Sequence, residues 1–86
     1  MLKKYRTFFG EAVLAERFSG NLEQKKRYNV KDKASLGIEY WGDRWSILTI
    51  YGEKLVFQGD WIVSVGSKRW IVKDDAFHNM YEEVED

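Results

Sequence analysis

Eighty-six residues make one domain and leave no room for a second core. The chain has no Cys, which excludes disulfides, a thiolate nucleophile and a Cys-based zinc site. Its formal charge of zero hides an asymmetry: residues 1–33 carry nine Lys/Arg against four Asp/Glu, and residues 34–86 carry five against ten. Two readings of that dipole compete, neutralisation within the fold and steering of an ionic partner. The hydrophobic content of 44% marks a globular chain, and the aromatic content of 16%, with four Trp, supplies large rings to a small core.

The opening Lys3-Lys4-Tyr5-Arg6 is basic, but no secretory-type apolar segment follows it. Nor does any apolar run approach the ~20 residues that span a bilayer, so the expectation is a soluble intracellular protein. Residues 11–18 contain good helix formers and also alternate, with Val13 and Ala15 on one side and Leu14, Glu16 and Phe18 on the other. Helix and strand both stay open there on the residues alone. Residues 20–44 hold polar stretches, notably Gln24-Lys25-Lys26-Arg27, and read as a helix or an excursion before the strands.

The second half is punctuated by glycine at short intervals and reads as a meander of antiparallel strands. Trp45 to Tyr51 is rich in β-branched and aromatic residues and predicts a strand. Gly52-Glu53 offers a two-residue hairpin loop, and Lys54 to Gln58 returns. A sharp turn at Gly59-Asp60 leads into a strand from Trp61 to Val65. Gly66-Ser67 turns again into Lys68 to Lys73. Asp74 or Asp75 is placed to cap a short helix over Ala76 to Tyr81, whose Phe77, Met80 and Tyr81 form one apolar stripe. The expected fold is therefore α+β and β-dominated, a small sheet or partly open barrel with one or two short helices. Strands such as Trp45–Tyr51 and Trp61–Val65 are apolar on both faces and need covering twice, by the chain's own elements, by barrel closure or by a second copy.

The residue inventory points away from catalysis. His78 is the single histidine, and no nucleophile sits beside it in sequence. Phosphate-cradling glycine loops of either common spacing are absent. Asp74, Asp75 and His78 could approach a divalent metal, but three such residues within one turn read better as a cap and a solvated face; no metal or cofactor is expected.

Binding is better supported. Trp41, Arg44 and Trp45, in the run Tyr40-Trp41-Gly42-Asp43-Arg44-Trp45, and Arg69 and Trp70 at a hairpin are the candidate partner contacts, because Trp, Tyr and Arg dominate interface hot spots. Lys25, Lys26, Arg27, Lys31 and Lys33, with Tyr28 among them, form a basic patch suited to phosphate contacts and base stacking. A solvated helix face is the competing reading of that patch, and the acidic second half argues against nucleic acid. Three functions follow in order: binding a protein partner or a second copy as a homodimer, sequestering a nucleotide signal, and binding nucleic acid.

The basic opening at Lys3–Arg6 is followed by Glu11-Ala12-Val13, Phe18-Ser19-Gly20-Asn21, Ile50-Tyr51-Gly52-Glu53, Gly59-Asp60-Trp61-Ile62-Val63, Asp75-Ala76-Phe77 and Tyr81-Glu82-Glu83-Val84. In the order and spacing of these pieces, nearly the whole chain resembles a group of small phage and prophage proteins of Gram-positive bacteria. The resemblance implies a strand over residues 11–18 leading into the Phe-x-Gly element. It also implies an accessory protein acting in the cytoplasm of the bacterial host, and by analogy one that occludes a host or rival factor such as a defence component. Members of that group carry an aromatic, Pro and Cys before the final Asp-x-Phe; this chain reads Arg69-Trp70-Ile71-Val72-Lys73-Asp74 instead, so any role of that Cys is missing here.

Overall fold

A computed structural model describes residues 2–32 and 45–84. Ten elements follow in order: β1 (Lys3–Thr7), β2 (Ala12–Arg17), α1 (Leu22–Arg27), β3 (Lys31–Asp32), β4 (Trp45–Thr49), β5 (Gly52–Val56), β6 (Trp61–Val65), β7 (Lys68–Val72), α2 (Asp74–Met80) and β8 (Tyr81–Glu83). The fold is β-dominated α+β. A five-stranded antiparallel sheet runs β7-β6-β2-β1-β8, a three-stranded sheet runs β3-β4-β5, and the barrel is not closed. Residues 12–17 are a strand, and Glu16 lies buried on the same face as Ile62.

Sheet pairing explains the two-sided apolar strands. On one face of the large sheet Val13, Ala15, Trp61, Val63 and Val72 meet Phe77 and Tyr81 under α2. On the other face Ile62 packs with Phe18, Tyr28, Ile47 and Val56, most of them carried by the smaller sheet and the α1 region. Thus β6, nearly all apolar, is covered twice by its own chain. In β4 the cover from the described residues is uneven: Ile47 is 1% exposed, while on the opposite side Ser46 is 1% and Leu48 70% exposed.

The Gly59-Asp60 turn is the corner where the chain leaves the small sheet for the large one, so β5 and β6 are consecutive without being paired. Gly59 adopts φ +94°, a conformation that favours glycine. Its N–H donates to the Phe18 carbonyl at 2.9 Å, and the Phe18 N–H donates to the Asp60 carbonyl at 2.7 Å. The Asp60 carboxylate accepts from the Phe57 N–H at 3.0 Å and meets the Lys73 ammonium at 3.1 Å.

Two local expectations are corrected. The first hairpin turns at Ile50-Tyr51, not Gly52-Glu53: Thr49 pairs with Gly52, and Gly52 at φ +94° already belongs to β5. The Thr49 hydroxyl holds that turn, accepting from the Tyr51 N–H and donating to the Gly52 carbonyl. For α2, Lys73 is the N-cap residue and its side chain makes no cap bond; Asp75 Oδ1 accepts from the first-turn Ala76 N–H at 2.8 Å, whereas the Asp74 carboxylate accepts from the Trp61 indole N–H at 2.8 Å. The Phe-Ser-Gly-Asn element has a clear role in starting α1. Asn21 Oδ1 accepts from the Gln24 N–H, and Gln24 Oε1 accepts from the Ser19 N–H, a reciprocal arrangement of the capping-box kind.

Candidate functional site

Where α1 ends, Asn29 takes a left-handed φ of +51° and directs the chain into β3. That strand pairs with β4 only at Lys31–Ser46 and Asp32–Trp45. Farther along, the Ile50 N–H donates to the Arg69 carbonyl at 3.0 Å, joining the end of β4 to the start of β7. Between these two points lies a groove of about 410 Å³. Its apolar wall is Leu48 and Ile50; Lys31, Lys68 and Arg69 bring three cations to it, and Glu53 one carboxylate. This volume lies within the usual range of ligand clefts.

Arg69 is held in place there. Its Nη1 donates to the Tyr28 carbonyl at 3.2 Å, and its guanidinium stands 5.3 Å from the centre of the Tyr28 ring. Opposite, the Ser46 hydroxyl donates to Glu53 Oε1 at 2.6 Å. Lys31 and Lys68 are exposed.

The structure separates the residues singled out in sequence. Trp41, Arg44 and Lys33 lie outside the described residues. Trp45 is half-buried, edge-on to Phe18 at 5.7 Å, with the Lys25 ammonium 4.7 Å over its ring. Trp70 packs half-buried against the α2 side of the large sheet, while its neighbour Arg69 enters the groove on the other face. The basic patch is likewise dispersed. Lys25 covers Trp45, Lys26 is exposed, Lys31 borders the groove, and Arg27 is committed to carboxylates.

Arg27 Nη1 donates to both carboxylate oxygens of Glu16, at 2.6 and 2.9 Å, and Nη2 to Glu23 at 2.6 Å. Burial pushes the Glu16 carboxyl up, but the Tyr28 hydroxyl and Arg27 together outweigh it and leave the group below the ordinary carboxylate range. The Tyr28 phenol is raised, first by burial and then by the Glu16 carboxylate. Its hydroxyl is enclosed beside Glu16 without a hydrogen bond of regular distance and angle.

At α2, Asp74 Oδ1 lies 3.2 Å from His78 Nε2 and 3.7 Å from Arg17 Nε. The Trp61 indole, and after it these two bases, hold the Asp74 carboxyl below its ordinary value. Among the described residues no group of three potential metal-ligating side chains comes together. None of the described helices is long and apolar enough to cross a membrane.

Sequence reasoning missed the groove, whose lining comes from the end of α1, from β3, β4 and β5, and from the β6–β7 hairpin. It also passed over the β1–β2 tip, where Phe8 is 62% and Phe9 97% exposed. The adjacent pair at residues 8–9, just before Gly10, was the available signal.

Comparison with known proteins brings no further identification: no family model, curated protein or solved structure gives a significant match to the chain.

Proposed function

We propose that this protein is a non-enzymatic binding protein that engages a protein partner through the groove beside β4. The observation that carries the reading is the groove itself, where exposed apolar side chains of a strand stand among three cations. Exposed Leu and Ile framed by charged groups provide an apolar contact with a polar rim, the usual anatomy of a protein interface. Arg69, restrained by Tyr28, is an anchor that loses little freedom on binding. A nucleotide fits the same place less well. The aromatic ring in its wall, Tyr28, is 5% exposed with Arg69 set over it, so it offers no face on which a base could stack.

The resemblance to phage and prophage proteins supplies the setting we propose: an accessory protein that occludes a host or rival factor in the cytoplasm of a bacterial cell. Affinity capture from the cells that express the protein tests the reading, using the full chain and its Leu48→Asp variant. Leu48 is 70% exposed, so the variant should keep the wild-type fold and melting temperature. A specific protein captured by the wild type should fall about tenfold or more with the variant, the effect of removing an interface contact worth roughly 1.4 kcal/mol. An identical captured set from both chains would refute the groove as the contact.

A further inference from the structure

We infer that the groove takes the Phe8-Phe9 hairpin tip of a second copy, each copy giving its own tip and receiving the other's. The inference rests on the protein-binding reading above and names the partner. Topology carries it. β2 pairs antiparallel with β6, from Leu14–Ser64 to Arg17–Trp61, so β2 starts where β6 ends. The β1–β2 turn and the β6–β7 turn therefore project from the same end of the large sheet, two strand spacings or about 10 Å apart. Ser67, Lys68 and Arg69 carry the second of these turns into the groove wall. Tip and groove thus lie at one end of the molecule. Two copies related by a twofold axis can exchange both at once and close as a dimer, whereas elements at opposite ends would string copies into an open chain.

The two elements also match in chemistry. Phe8 and Phe9 are the exposed rings of a turn fixed by three hydrogen bonds. The Thr7 N–H donates to the Glu11 carbonyl at 2.8 Å, the Gly10 N–H to the Thr7 carbonyl at 3.0 Å, and the Glu11 N–H to the Thr7 hydroxyl at 3.1 Å. A tip already formed needs little further ordering on docking. The groove offers Leu48 and Ile50 to the rings, with Lys68 and Arg69 as cations for their faces. Glu11 follows the tip, exposed and in no ion pair among the described residues, and the same holds for Lys31 and Lys68 at the groove. Exchange brings that carboxylate to those cations at each of two contacts. Four rings against two grooves bury on the order of 1,200 Å², the lower bound of a stable interface.

The test is analytical sedimentation of the full chain between about 1 μM and 1 mM, with the fold of each variant checked by melting at the dilute end. The wild type should pass from one copy to two and stop there. Phe9→Ser and Leu48→Asp, both at exposed positions, should each weaken the dimer at least about a hundredfold, tenfold at each of the two contacts. Mixed together they should dimerise more strongly than either alone, because one intact tip then meets one intact groove. Glu11→Lys should weaken the dimer about threefold or more, and adding Lys31→Glu and Lys68→Glu to the same chain should restore it. A wild type that stays single at ~1 mM, or whose mass climbs past two copies, overturns the inference. So do tip and groove variants that dimerise like the wild type or fail to complement each other, and so does a charge reversal that restores nothing. If the chain stays single while Leu48→Asp still releases a captured protein, exchange fails and the protein-binding reading stands. If exchange holds and both chains capture the same proteins, the groove serves the second copy and no outside factor.

Discussion

Arg27 grips both oxygens of Glu16, the latter 1% exposed on the inner face of the large sheet, and so ties α1 to β2 across eleven positions of sequence. The pair fixes the layer that carries Tyr28, and Tyr28 in turn holds Arg69 at the groove wall. A buried carboxylate thus stands two contacts away from the proposed binding surface. Its alternatives are poor, because an unpaired charge at that depth would be strongly destabilising.

Replacing Glu16 with Gln should cost about 1–2 kcal/mol, since a charge-assisted bond is exchanged for a neutral one. For a domain of this size that is a fall in melting temperature of about 4–8 °C per kcal/mol. The wild-type carboxyl is held below its unfolded value near ~4.3. Its stabilisation is therefore present above that pH and is lost as pH falls through the lower folded value. Urea unfolding of both chains at neutral pH and near pH ~3 should show the gap between them shrinking in acid. A gap that stays constant would mean that the Glu16 carboxyl has the same pKa in the folded and unfolded chains.

At the corner between the sheets, Gly59→Ala should cost about 1–2 kcal/mol, because a Cβ is strained at its φ of +94°. Asp60→Ala should cost about 1–3 kcal/mol through the Phe57 N–H left without its acceptor. Gly52→Ala shares the same φ of +94° but meets no atom within 4 Å, whereas a Cβ at Gly59 comes 3.4 Å from the Arg17 guanidinium. Thermal melts should therefore rank Gly59→Ala at or below Gly52→Ala, and the reverse order would count against the corner as a constrained site.

At the exposed hairpin tip the expectation is the opposite. Phe9→Ser removes a side chain that is 97% exposed and should change stability by no more than about 0.5 kcal/mol. What it should change is solubility, as two adjacent exposed rings are a sticky patch. Melting and light scattering at high concentration separate the two effects. A clear loss of melting temperature would show that the tip packs in solution.

Local chemistry made most of the strands legible. Trp61 to Val65 is bounded by Gly59-Asp60 and Gly66-Ser67, and its β-branched run leaves no competing conformation. The Ile50-Tyr51 turn was misplaced by two residues because Gly52 serves just after the turn rather than inside it. Asp74 and Asp75 are equally good cap candidates in sequence, and what separates Asp74 from that role is a partner thirteen residues away, the Trp61 indole. The candidate site was less legible for the same reason. Arg69 and Lys31 lie far apart in sequence, and only the crossing of the two sheets brings both to one groove. Glu16 was less readable: it alternates with Leu14, which is 45% exposed, and Phe18, which is 1% exposed, so only the pairing with Ile62 shows that its carboxylate is buried and needs a cation.

The ring stack beneath α2 gives the largest expected effect of a single side chain. Phe77 is 1% exposed, and its ring lies 3.9 Å from that of Trp61 at an interplanar angle of 1°. Tyr5 and Tyr81 also contact Phe77, each with ring centres 5.0 Å away. Phe77→Ala removes the hub of four rings and should cost about 3–5 kcal/mol. Domains of this length hold only roughly 4–13 kcal/mol in total, so the variant should be partly unfolded at room temperature or close to it. Phe77→Leu keeps most of the apolar volume and loses chiefly the ring contacts, worth about 0.5–1.5 kcal/mol each. It should stay folded with a shifted Trp61 indole proton resonance, because the stacked ring no longer shields that indole. Calorimetry on both variants and a proton spectrum of the second decide the point. A Phe77→Ala chain as stable as the wild type would mean that α2 is not docked on the sheet.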